Sequence, residues 1–358
     1  MGRQRKDGDP FGLAGTRLSF RHGAFYYRHR DGRWERAGTD VAAAKRRAAL
    51  YNDPSGIYGT TGYWLDRFLV DCEARVKAGD LAARTLSDYQ GNAEPLKAYF
   101  GSMLPEDIKP ADVQAYLDIG RKAGRPVRAN REKACLSSCL SWLMRQPGAT
   151  TMLVNPCMQA SGTQGNAESK RERYVTDEEY RAVWAAAGTQ VRLLMDLTYR
   201  TLQRPESDIL GWTPTIIGRD EHTKARILHF QQGKTKVWVK ITLTADLDAL
   251  IRRAMGDPPQ IGQPLVHTLK GKRYTYTGIM AMLTSAIRKA NKGRAEDAKI
   301  PSFGFRDLKG KGATDMWKSG VPIERIQLLC GHADKATTEK YIKARWSEAA
   351  APNETAMK

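Results

Sequence analysis

The sequence predicts a multidomain chain: a small β-sheet plus helix N-terminal domain, an all-α bundle, and a mixed α/β, mostly helical C-terminal domain. Three observations lead there. A length of 358 residues exceeds what one hydrophobic core usually organises. Two stretches with little periodicity, residues 52–62 and 147–169, are rich in Gly, Pro, Ser, Thr and Asn and read as linkers. The apolar pattern also changes between them, from alternation at the front, to helical spacing in the middle, to both at the back. The expected boundaries are 1–55, 60–150 and 170–358, the last with a tail after Tyr341.

Thr16 to Phe20 and Ala24 to His29 alternate and are rich in aromatic and β-branched residues, with a turn signal at Arg21-His22-Gly23. Asp31-Gly32 supports a second hairpin into Trp34-Glu35-Arg36, and Asp40 is placed to cap a helix from Ala42 to Tyr51. Phe25, Tyr26 and Tyr27 fit core and sheet face better than a base-stacking platform. From Tyr63 to Arg145 the spacing is helical, with stripes at Trp64, Phe68 and Leu69 and from Leu81 to Phe100. Pro110 stands in a first turn, and a last apolar helix runs from Ala134 to Leu143. Thr176-Asp177-Glu178-Glu179 opens the third domain in capping-box style. A helix at Val191 to Leu197 follows, then strands at Ala225 to Phe230 and Val237 to Leu243, then helices from Asp246 onward.

Fifty-eight basic residues against thirty-nine acidic ones give a net charge of +19, so the expected partner is a polyanion, with nucleic acid first. The excess is split between residues 1–55 (+6), where Arg3, Arg5, Lys6 and Arg21 are candidate phosphate contacts, and residues 166–358 (+11). The middle third carries only +2, yet Arg121, Lys122, Arg125, Arg128, Arg131 and Lys133 form a basic run there. That run reads either as a phosphate track or as a solvated face. No run approaches the roughly 20 apolar residues of a membrane span, and no secretory signal is present. Five cysteines (Cys72, Cys135, Cys139, Cys157, Cys330) show no metal spacing and read as reduced thiols of a cytoplasmic protein. His22, His29, His222, His229 and His267 read as structural. There is no GxxxxGK[ST] loop and no GxSxG elbow.

What remains is a dispersed set in the last 160 residues. Thr201-Leu202-Gln203-Arg204-Pro205, Gln231-Gln232-Gly233-Lys234-Thr235, Phe305-Arg306-Asp307-Leu308-Lys309, and Leu329-Cys330-Gly331-His332 followed nine residues later by Tyr341 resemble the ordered boxes of the tyrosine recombinases, in particular phage integrases of the lambda type. Gly2-Arg3, the strand Thr16 to Phe20, Phe25-Tyr26-Tyr27 and Gly38-Thr39-Asp40 are similar to that family's arm-binding domain, and the helical middle stands where its core-binding domain does.

The resemblance implies site-specific recombination through a 3′-phosphotyrosyl intermediate with Tyr341 as nucleophile and no cofactor or metal. It implies Arg204, Lys309, His332 and Arg306 around the phosphate, and Lys234 as proton donor to the leaving 5′-oxygen. Glu206 or Asp208 is the supporting acid. A phenol with a pKa of about 10 needs nearby positive charge to attack at neutral pH, and the phosphate oxygens need fixed cationic donors. Double-stranded attachment-site DNA, a homo-tetramer on paired sites, an excision-directing factor and a host DNA-bending protein are the implied partners. The two larger domains are expected to clamp DNA in a salt-sensitive way, and the tail after Tyr341 to dock on a neighbouring subunit.

Two boxes depart from the family. Leu202 stands for a glycine, and Arg306 and Lys309 stand for His and Arg. Arginine does not titrate near neutrality, and lysine lacks the bidentate fork. Arg200 is an alternative first arginine. Within the last box, Gly331 ends a helix and leaves His332 just outside it, while Thr337 is a candidate cap for a short helix carrying Tyr341. Two other readings stay open: an attachment-site binder with weakened catalysis, and a strand-passage enzyme of the related type IB topoisomerases.

Overall fold

His22 and Gly23 both lie at positive φ (50° and 76°), which makes the two-residue turn whose twist suits a tight hairpin. It joins β1 (Leu18–Arg21) to β2 (Ala24–Arg28), with Arg21 opposite Ala24 and Leu18 opposite Tyr27. β3 (Trp34–Gly38) pairs on the other side of β2. The Asp40 side chain accepts from Ala43 N at 2.6 Å and starts α1 (Val41–Asn52). Leu18, Phe25, Tyr27, Ala44 and Ala48 close a small core between sheet and helix.

The structure is a computed structural model that describes residues 9–53, 56–147, 149–169, 173–256 and 258–343. Arg3, Arg5, Lys6 and the tail beyond Lys343 lie outside the described residues. The chain divides into two units, Met1–Ser169 and Lys170–Lys358. No helix among the described residues is long and apolar enough to cross a membrane.

Four helices complete the first unit: α2 (Thr61–Ala78), α3 (Ala83–Phe100), α4 (Pro110–Lys122) and α5 (Pro126–Leu143). On α2 the stripe that faces inward is Leu65, Phe68 and Cys72. It meets Leu96, Phe100, Tyr116, Leu136 and Leu140 in one core.

The segment read as a second linker belongs to this unit. Asn155, 3% exposed, donates to Ser137 O (2.9 Å) and Ser141 Oγ (2.8 Å) of α5, while its Oδ1 accepts from Cys157 N. Cys157 enters the bundle core. Asn130 and Asn166 exchange hydrogen bonds, each at 2.8 Å. Asparagine, glycine and proline look like loop composition, but here the side-chain amides replace secondary structure as the fastening.

In the second unit, the Thr176–Glu179 capping box opens α6 (Asp177–Ala186), followed by α7 (Thr189–Thr201). An antiparallel sheet of β4 (Ile217–Arg219), β5 (Arg226–Gln231) and β6 (Trp238–Thr242) comes next. Then come α8 (Ala245–Met255), α9 (Tyr276–Ala290), α10 (Phe305–Lys318), α11 (Ile323–Cys330) and α12 (Lys335–Lys343). Apolar faces of α6 to α9, the inner face of the sheet and the start of α10 share one core. Gly312 of α10 lies against Tyr199 O and the Leu202 side chain, where any Cβ would overlap both. This fixes α10 against the end of α7.

Asn155→Ala is expected to destabilise the first unit by about 1–3 kcal/mol, because buried partners lose their donor. Limited proteolysis should then show faster cutting within residues 149–169, and unchanged cutting there would contradict the fastening role.

Candidate active site

Leu202 caps α7 in the left-handed conformation (φ 54°), where a side chain is strained. Its side chain is fully buried with Ala313, Ile326, Cys330 and Ile342. Burying a leucine is worth roughly 1.5–3 kcal/mol, enough to offset a left-handed residue costing about 1–2 kcal/mol. The turn sends Gln203 into the interior and leaves Arg204 half-buried beside it.

Of the two candidate acids, Asp208 is buried, 4% exposed. One carboxylate oxygen accepts from Arg204 N (3.1 Å), the other from Gly233 N (2.8 Å). It thus ties the arginine turn to the β5–β6 hairpin through backbone amides, leaving the guanidinium unclaimed by it. Glu206 is exposed, and what it contributes is its carbonyl, an acceptor for Arg273. Arg200, the alternative first arginine, lies 3.9 Å from Asp246, whereas Arg204 lies 3.4 Å from Gln232 of the β5–β6 hairpin.

Lys309 projects from α10 into the same region, 4% exposed, with Nζ 3.4 Å from Cys330 O. Burial lowers its ammonium to about 8; Cys330 and Asp208 oppose that shift, and Arg204 and Arg306 add to it. Arg306, one turn earlier, is exposed. Gly331 is left-handed (φ 64°) and ends α11. His332 follows, its N–H bound to Gln327 O and its Nδ1 2.9 Å from Thr338 Oγ1. Burial first, then Lys309 and Arg204, lower the imidazole to about 4. It is neutral at pH 7.

Tyr341 lies on α12, and its side chain is outside the described residues. The helix itself is docked: Thr338 is buried against His332, and Ile342 enters the Leu202–Cys330 cluster. Asp334, not Thr337, caps α12. Its side chain accepts from Ala336 N at 2.9 Å and its carbonyl from Thr337 N. An aspartate three residues upstream outcompetes a threonine that the helix has already absorbed.

Lys234 is exposed in the turn between β5 and β6. Among the described residues, no carboxylate lies within ion-pair distance of Arg204, Lys234 or Lys309, so their charge is left for an anion. No group of three or more His, Cys, Asp and Glu side chains suited to a metal occurs among the described residues.

The basic run in the first unit is mostly engaged internally. Arg125 and Arg128 pair with the buried Glu132 (2.6 and 3.3 Å), which also accepts from Tyr116. Arg131 pairs with Glu168, Arg121 with Asp118, and Lys133 donates to Cys157 O. Lys122 is exposed at the end of α4. Arg21 stacks over Trp34 at 4.4 Å.

Residues 173–348, nearly the whole second unit, match the phage integrase family. The C-terminal unit belongs to this family. It is a site-specific recombinase of the tyrosine type. No curated protein matches it. Among solved structures, a lambda integrase dimer bound to a COC′ core site is 19% identical with a TM-score of 0.63, covering 99% of this chain and 100% of that one. A lambda integrase tetramer bound to a Holliday junction is 18% identical with a TM-score of 0.64, covering 94% and 97%. The Tn1549 transposon integrase in complex with a circular intermediate DNA is 14% identical with a TM-score of 0.62, covering 81% and 96%. These likenesses show that the sheet-plus-helix front, the helical middle and the C-terminal unit follow the integrase fold.

Sequence reasoning assigned no role to Gln203 or Gln232, both fully buried at the centre of the recombinase site. They stand inside the quoted boxes, but glutamine in a polar turn carries no pattern that distinguishes burial from solvation.

Lys309 yields a stability test. Its folded value lies below the unfolded value of 10.5, so it burdens the fold below about pH 8, and the burden fades as pH rises toward 10.5. Lys309→Met is therefore expected to stabilise the second unit at pH 7 by on the order of 3 kcal/mol, with the gain shrinking above pH 8. Thermal unfolding at pH 7 and 9.5 measures it; equal effects at both would contradict the burial argument.

Proposed function

We propose that this recombinase cleaves and rejoins attachment-site duplexes through a 3′-phosphotyrosyl link at Tyr341. Tyr341 gives up its phenolic proton to solvent, the neighbouring cations stabilising the phenolate; that oxygen attacks phosphorus, the bond to the 5′-oxygen breaks, and Lys234 supplies the proton the departing oxygen needs. Arg204, Lys309 and the neutral His332 hold the non-bridging oxygens, with Asp208 keeping the arginine turn and hairpin in place. Arg306 reaches the same phosphate from the mouth of the site. The link conserves the phosphodiester energy, so ligation is the same reaction reversed with another 5′-hydroxyl.

The observation that carries this reading is the convergence of Arg204, Lys309 and His332 against the helix that bears Tyr341, with no carboxylate among the described residues in ion-pair distance of Arg204 or Lys309. Such an arrangement costs stability and is relieved by a bound anion. Residues 1–55 would hold accessory arm-type sites through Arg3, Arg5, Lys6 and Arg21, residues 60–150 the core site through Lys122 and the exposed arginines, and residues 170–358 the scissile strand. Four subunits on two paired sites, in a bacterial cytoplasm, with a DNA-bending host protein and an excision-directing factor, would integrate and excise a phage or other mobile element.

A nicked suicide substrate built from the protein's own core site tests this. Wild-type protein should become covalently trapped, and Tyr341→Phe should abolish trapping while still binding DNA. Lys309→Ala should lower the trapping rate roughly 100- to 1000-fold, as loss of one oxyanion donor does. Tight binding by the wild type without trapping would instead mark an attachment-site binder. Relaxation of plasmids regardless of sequence would mark a strand-passage enzyme.

Trapping by wild-type protein should also decline above about pH 8 as Lys309 loses its proton, whereas Lys309→Arg should hold its rate to higher pH. Single-turnover rates between pH 6.5 and 9.5 give the comparison. Parallel profiles for the two proteins would remove Lys309 from the phosphate.

A further inference from the structure

Gln232 opens the hairpin turn that carries Lys234, and its side chain is fully buried. Its Nε2 donates to Gln203 Oε1 at 2.6 Å and to Cys330 O at 3.0 Å. Its Oε1 accepts from Thr235 Oγ1 and, at 3.4 Å, from the Arg204 guanidinium. Gln203 in turn donates from Nε2 to Leu329 O (2.6 Å) and Thr201 O (2.9 Å). A carbonyl only accepts and a guanidinium only donates, so these partners determine which way both amides face. Each of the four amide N–H groups has an acceptor. A fully satisfied buried network of this kind is rigid, and a half-satisfied one is costly.

The network joins three segments of the site. Gln203 follows the end of α7, Gln232 belongs to the hairpin, and the two carbonyls are the last turn of α11, directly before His332. Gly331 sits so close that a Cβ there would overlap the Gln232 amide. On the hairpin side, Gln232 N binds Val237 O (2.8 Å), Lys236 N binds Gln232 O (3.0 Å), and Gly233 N binds Asp208. The residues on both sides of Lys234 are thus fastened while its own side chain stays exposed.

We infer that Gln232, backed by Gln203, is the positioning residue for Lys234, fixing the turn so that the ammonium meets the leaving 5′-oxygen. This rests on the recombination reading proposed above. Gln232 touches neither substrate nor the reacting atoms. Its contribution is to hold the base of a proton donor whose side chain would otherwise ride on a free turn.

The test separates leaving-group protonation from other losses. Two nicked core-site substrates are compared, one with the ordinary 5′-oxygen and one with sulfur at the bridging 5′ position, because a thiolate departs without needing a proton. Gln232→Met should slow trapping on the oxygen substrate about 100-fold, as misplacement of a general acid does, and should return to within a few-fold of wild type on the sulfur substrate. Lys234→Ala should behave alike. Near wild-type rates on oxygen, or an equal loss on both substrates, would overturn the inference. Should Gln232→Met fail to unfold cooperatively, Gln203→Met removes only the backing side chain and should show the same sulfur rescue in weaker form. Wild-type protein that traps on neither substrate would overturn the recombination reading, and this inference with it. Wild-type trapping with an unaffected Gln232→Met would overturn the inference alone.

Discussion

Holding an arginine and a lysine together in a buried place, without cancelling them, is the constraint from which the rest of the site follows. A carboxylate beside Arg204 and Lys309 would stabilise the empty site and oppose the phosphate. The chain instead offers neutral oxygens, the Cys330 carbonyl to Lys309 and the Gln232 amide to Arg204. Its buried acid is occupied by backbone N–H groups, so Asp208 contributes its field without closing an ion pair. The consequence is visible in the titrating groups, since Lys309 falls to about 8 and His332 to about 4. Both shifts begin with burial and are deepened by neighbouring cations, and an arriving phosphate would reverse the second contribution.

Much of the fold was legible because local chemistry and tertiary packing agree at those positions. The His22-Gly23 turn, the Asp40 cap and the Thr176–Glu179 capping box are all decided within a few residues. Where the deciding partner is distant, the sequence misled. Residues 149–169 have loop composition and are nevertheless fastened, because the acceptors for Asn155 lie on a helix that ended several residues earlier. The six cations between Arg121 and Lys133 left two readings open, a phosphate track or a solvated face, and composition does not show that the one acid among them, Glu132, is buried and pairs with Arg125 and Arg128. The Gln203–Gln232 pair is the extreme case. Twenty-nine residues separate its members, and no periodicity or capping rule connects them.

Leu202 shows how a departure from a family's pattern is absorbed. A glycine would take the left-handed turn without strain, so a leucine there requires compensation. The compensation is Gly312, whose missing side chain leaves the space into which Leu202 packs. Leu202 thereby does more than make a turn. It supplied an apolar anchor at the junction of α7, α10, α11 and α12.

That anchor also bears on the nucleophile. The described contacts of α12 include one buried isoleucine and one neutral hydrogen bond, Ile342 in the Leu202 cluster and Thr338 to His332. Both contacts require the receiving surface to be formed. The receiving surface is built from the residues that gather the cations: Leu202 precedes Gln203 and Arg204, Cys330 supplies the carbonyl for Lys309, and His332 receives Thr338. Docking of the tyrosine helix and assembly of the cation cluster are consequently one equilibrium. An anion that drew Arg204, Lys309 and His332 together would therefore also secure the helix that carries Tyr341.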